Sequence, residues 1–111
     1  MTSTITTREP TLLTDFYEGE VRDITFPCAA SLDAGESIVD ATIQLVFDHG
    51  ITDSNPAAHI AEPRQIVGTN VVQRVSASFG GAWYRLWGEI ETSTGRHLIG
   101  EGMFYVKPSP F

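Results

Sequence analysis

The chain has 111 residues, of which 41% are hydrophobic and 19% charged. That is the size of one ordinary domain, and it is too apolar for intrinsic disorder. Fourteen acids against seven Lys and Arg give a net charge of -7, which argues against general nucleic-acid binding and against docking on an anionic membrane.

Residues 1–17 are rich in threonine and contain Pro10, which predicts an extended arm or an edge strand. The arm lacks the charged-then-apolar pattern of a signal peptide, and no run in the chain approaches the ~20 apolar residues of a membrane helix. It has little to bury by itself, so it is expected either to be mobile or to order against a neighbouring chain. Its apolar side chains Ile5, Leu12 and Leu13 are candidate interface residues. The first forty residues hold eight acids and two bases, a net of -6, and solvated turns and strand edges are the expected home of this charge.

A domain of β type is predicted over residues 18–106. Ile24, Phe26 and Cys28 alternate with Asp23 and Thr25. The clearest strand runs from Ser37 to Phe47, with Val39, Ala41, Ile43, Leu45 and Phe47 on one face and Asp40, Thr42 and Gln44 on the other. Residues 48–63 read as a long loop broken by Gly50, Asn55-Pro56 and Pro63. A short strand over 64–67, a turn at Gly68, and a strand from Val71 to Phe79 follow. Trp83 to Thr92 places Tyr84, Leu86 and Ile90 opposite Arg85, Glu89 and Glu91. Ser93 to Arg96 is a hairpin turn with Gly95 at a position suited to positive φ. The last strand, His97 to Val106, carries Gly100 and Gly102, which signal a bulge or a close backbone approach. Residues 107–111 form an extended, proline-rich tail ending in Phe111, another candidate interface residue.

No segment carries helical apolar spacing over three turns. Six or seven short strands with turns between them predict an all-β fold, an antiparallel immunoglobulin-like β-sandwich, with a small β-barrel as the alternative.

Chemistry-bearing patterns are sparse. Cys28 is the single cysteine, so no internal disulfide or C-x-x-C pair can form; a buried inert thiol and assembly in a reducing cytoplasm are expected. His49, His59 and His97 lack metal-ligand spacing, although folding could bring His49 and His59 together for a metal-assisted hydrolysis. Asp48, Asp53 and Asn55 do not fit a calcium-loop register and read as turn formers. Glu89 and Glu91 share a strand face and read as a solvated salt-bridge surface with Arg85, Arg74 or Arg96. There is no nucleophile elbow and no phosphate-binding glycine loop. The chain is therefore expected to be non-enzymatic, with no catalytic, cofactor-binding or metal residue. Trp83 and Trp87 lie opposite Leu86 and Ile90. Pointing outward they would anchor a partner, and pointing inward they would pack on the second sheet.

Two stretches resemble small immunoglobulin-like virion proteins of tailed bacteriophages, of the fibre–tail adaptor type. One is Asp23-Ile24-Thr25-Phe26 followed by Leu32-Asp33-Ala34-Gly35-Glu36-Ser37-Ile38. The other is Phe79-Gly80-Gly81-Ala82-Trp83-Tyr84 followed by Ile90-Glu91-Thr92-Ser93-Thr94-Gly95-Arg96. The resemblance implies a structural virion component, assembled in the bacterial host cytoplasm. It would bridge other phage virion proteins at the neck or tail, or decorate the capsid, in a symmetric multi-copy assembly. The arm would add a strand to a neighbour's sheet edge, leaving residues 1–14 dispensable for folding. The alternative is a binding module for carbohydrate or a host surface, built on Trp83 or Trp87.

Overall fold

The computed structural model describes residues 2–5 and 10–109, with backbone alone for Thr2 and Ser3. The period-two patterning becomes strands β1 (Thr2–Thr4), β2 (Pro10–Leu12), β3 (Phe16–Tyr17), β4 (Val21–Pro27), β5 (Ile38–Gly50), β6 (Gln65–Val67), β7 (Asn70–Ser76), β8 (Ala82–Thr92) and β9 (His97–Lys107). Among the described residues the helical pieces are two 3-10 turns, Ala29–Ser31 and Pro56–His59. The strands form two sheets, ordered β1-β4-β7-β6 and β2-β9-β8-β5, with β3 also beside β9. The long neighbours are antiparallel, while β1 runs parallel to β4, and β2 and β3 run parallel to β9. No ladder joins the two sheets among the described residues, so the fold is layered rather than a closed barrel.

Alternation fills the space between the layers. Ile24, Phe26, Val71 and Val75 enter from the first sheet and Leu45, Tyr84, Leu86, Ile90, Phe104 and Val106 from the second, all of them buried. Phe26 needs room. It finds it where Gly88 pairs with Gly100 across β8 and β9. A Cβ added to either glycine would stand 2.7 Å from the Phe26 ring. The glycines are therefore a socket, and emptying it with Phe26→Ala would cost roughly 3–5 kcal/mol.

The arm belongs to this core. Ile5 is fully buried and lies against Gly102, whose missing side chain it replaces, while Leu13 is 6% exposed and also touches Gly102. Ile5 and Leu13, expected to meet a neighbour, pack instead within their own chain, one beside each sheet, while the Leu12 side chain stays exposed. Deleting residues 1–14 would remove Ile5 and Leu13 from over Gly102 and leave a cavity there, so the deletion is expected to destabilise the fold rather than leave it intact.

Two further departures have local causes. The face assignment of β5 fails at its start, where Ile38 is 9% exposed and Val39 is 51% exposed. A bulge explains this: Ile38 pairs with Thr92 and Asp40 with Glu91, leaving Val39 unpaired and the alternation shifted by one. Arg22 points inward and is 3% exposed. Its guanidinium lies 4.0 Å from the Phe16 ring centre and donates to the Thr14 and Asp15 carbonyls and to Glu20. It closes one end of the core with a charge paired to Glu20.

The loop after β5 is folded onto the sandwich. Its 3-10 turn packs against β5, and Ile60 bridges to Val75. Arg64 donates to the Ala41 carbonyl at 2.7 Å and to Asp40, capping the open side of β5.

Candidate functional site

Three places gather polar chemistry. The first is the outer face of the five-stranded sheet. Because Tyr84, Leu86 and Ile90 point inward, alternation sends Trp83, Arg85, Trp87, Glu89 and Glu91 outward. Ladder register sets the rows of that face. His49, Trp83 and Tyr105 form one row, with ring centres 5.6 Å and 5.3 Å apart. Val46, Arg85, Met103 and Leu12 form the next, and Gln44, Trp87 and Glu101 the third. Thr42, Glu89 and Ile99 follow, then Asp40, Glu91 and His97.

Charges on this face are compensated unevenly. Arg85 donates to Asp48 at 2.7 Å and to Glu101 at 2.5 Å, and this holds the Asp48 carboxyl below its ordinary range. Glu89 and Glu91 instead flank His97, at 3.1 Å and 3.9 Å. The partner of this pair is thus a histidine, not one of the arginines expected from the sequence. Arg74 is engaged by Asp23 and Glu62, and Arg96 by Glu36.

The second place joins both motif stretches. Glu36, with a buried carboxylate, accepts from Arg96, Thr92 and Thr94 and from the Asp33 amide. Arg96 also donates to the Ser31 carbonyl at 2.8 Å. The Arg96 guanidinium first, then the Asp33 amide and the two hydroxyls, hold the Glu36 carboxyl far below its ordinary range. Gly95, at φ 83°, lets the hairpin turn tightly enough to present Arg96.

The third place lies under the long loop. Asp53 accepts from the Tyr84 hydroxyl at 2.6 Å, from His59 Nε2 at 2.6 Å and from the Asn55 amide at 2.9 Å. Ser78 Oγ lies 2.9 Å from the other ring nitrogen, Nδ1. Burial alone would raise the Asp53 carboxyl, but these donors outweigh it and the net direction is downward. Burial and the Asp53 charge push the Tyr84 hydroxyl upward. Serine, histidine and aspartate in series are the components of nucleophile activation. Here Ser78 is exposed, but His59 is 6% exposed and the small cavity beside it, which Ser78 also lines, is otherwise walled largely by Leu45, Val75, Ala77, Phe79, Phe104 and Val106. It leaves no room even for a water molecule. The arrangement tethers the loop to β8.

Trp83 and Trp87 are half-buried on the outer face. Leu12 is 72% exposed there, beside Met103. Ile5 and Leu13 are core, and Phe111 lies outside the described residues. His49 and His59 are in different environments, one stacked on Trp83 and the other buried against Tyr84. Among the described residues no group of three or more His, Cys, Asp or Glu could hold a metal ion. Cys28 is fully buried, and burial raises its thiol pKa. Asp53 accepts the Asn55 amide as a turn former does, while Asp48 and Asp53 also have partners 37 and 31 residues away, Arg85 and Tyr84, that no local pattern signals. Compared with known proteins, the chain matches no family model, no curated protein and no solved structure.

Proposed function

We propose that the chain is a non-enzymatic structural component of a tailed-phage virion. It bridges other virion proteins at the neck or tail, or decorates the capsid. The observation that carries this reading is the Glu36 cluster. The two stretches that resemble the phage family meet in one network between Glu36 and the Thr92–Arg96 hairpin, through contacts that span 56 to 60 residues. Motifs that cooperate in one structural joint support a shared fold better than either does alone. The immunoglobulin-like assignment belongs to the same proposal. In support of it, the order β1-β4-β7-β6 is similar to the A-B-E-D sheet of that fold and β5-β8-β9 to the C-F-G sheet, with β2 and β3 added beside β9. The parallel pairing of β1 with β4 departs from an all-antiparallel arrangement.

Mass spectrometry of gradient-purified particles of the phage that encodes the chain tests the reading. The expected result is the chain in the particle at a fixed ratio to capsid or tail proteins. Its recovery only from the particle-free lysate overturns the proposal.

A second reading, a carbohydrate-binding module, is favoured by the His49–Trp83–Tyr105 stack on an open sheet face. A glycan array with the wild-type chain and Trp83→Ala decides it: binding lost in the variant supports it, and no glycan hit removes it.

A further inference from the structure

We propose that the patch of Trp87, Glu89, Glu91 and Ile99 on the outer face receives an arginine or lysine side chain of a partner protein. The inference rests on the reading of the chain as a contact protein, and names the chemistry of the contact. Trp87, Glu89 and Ile99 line one depression together with Thr42, Gln44 and Gly88, and Glu91 stands next to it, two residues on along β8. Ile99 is 42% exposed and offers an apolar floor for the methylene stem of a long cationic side chain. The Trp87 ring beside it offers a π face for the charge.

Charge singles out this patch. Elsewhere on the face every carboxylate has a permanent cation: Asp48 and Glu101 share Arg85, and Asp40 has Arg64. Glu89 and Glu91 have His97, which is charged only when protonated. Their side chains are 57% and 48% exposed, so a visiting guanidinium reaches them without displacing a buried group. A neutral sugar would use the indole but not the paired negative charge. An anionic ligand would be repelled. A basic side chain uses ring, floor and the Glu89 carboxylate together, with the negative charge of Glu91 beside them.

Isothermal titration of the full chain with a tetra-arginine peptide, a tetra-glutamine peptide and cellohexaose tests the proposal. Saturable binding of tetra-arginine alone is expected. Trp87→Ala and the Glu89→Gln/Glu91→Gln pair should each weaken it about tenfold or more. Glu62→Gln, which removes one charge from the opposite sheet, should leave it unchanged. No saturable binding of tetra-arginine, equal weakening by Glu62→Gln, or preference for cellohexaose would overturn the proposal. Thermal melts check each variant's fold; if Trp87→Ala does not fold, the exposed Glu89 and Glu91 pair carries the test. Absence of peptide binding leaves the particle experiment intact, since that experiment reads only whether the chain is incorporated.

Discussion

Two polar clusters pin connections of this fold to its sheets, and they are built from different donors. Glu36 is held by a permanent cation, Arg96, with Thr92 and Thr94 hydroxyls beside it. Asp53 is held by the neutral Tyr84 hydroxyl, the Asn55 amide and His59. The contrast shows how a small sandwich can bury an acid in two ways. Where a hairpin can deliver an arginine, Coulomb attraction offsets desolvation. Where the acid sits above the core, dipolar donors must do it, and each is worth less.

Breaking each cluster should expose that difference. Arg96→Met should have the largest effect, because it strands the buried Glu36 carboxylate. The melting temperature at pH 7 should fall by about 10 °C or more, with partial recovery in the double variant Arg96→Met/Glu36→Gln. A double variant no better than the single one would show that Arg96 acts through packing rather than charge. Acid comes next. Glu36 and Asp53 titrate lower in the folded chain than their ordinary values. The unfolded chain therefore binds more protons between the two, and stability rises with pH in that window. Their contribution is complete above the unfolded carboxylate values of ~4 and is lost as pH falls through the lower folded ones. Thermal melts from pH 6 to pH 2 should show this loss, with a shallower slope for Glu36→Gln than for the wild type. An identical slope would remove Glu36 from the account. The smallest effects belong to the second cluster. Tyr84→Phe should cost ~1–3 kcal/mol in urea unfolding by leaving Asp53 short of one buried donor. Ser78→Ala should stay within ~0.5 kcal/mol, since Ser78 is exposed to water. A larger cost for Ser78→Ala than for Tyr84→Phe would invert the assignment of the tether.

Legibility in the sequence followed range. Alternation over β8 set Tyr84, Leu86 and Ile90 opposite both tryptophans but left open which set faces the core, and only the packed sheets turned the tryptophans outward. Gly100 and Gly102 were readable as sites of close approach, but not what approaches, which is Phe26 and Ile5. Glu36 and Arg96 stood in recognisable motifs, yet their contact spans 60 residues. Asp53 was readable as a turn former, and its carboxylate does accept the Asn55 amide in its own turn, but nothing local signalled Tyr84, which lies 31 residues away on β8.

Residue order by itself determined strand type, turn positions and most inward faces, since each follows from neighbours two residues apart on a pleated chain. Tertiary structure alone decided that a bulge exchanges Ile38 for Val39, that Arg22 turns inward over Phe16, and that the arm stays with its own sheets. It also gave Glu89 and Glu91 a histidine as their partner. These outcomes depend on which backbone meets which, and that is settled by packing volume and hydrogen-bond satisfaction across the whole domain.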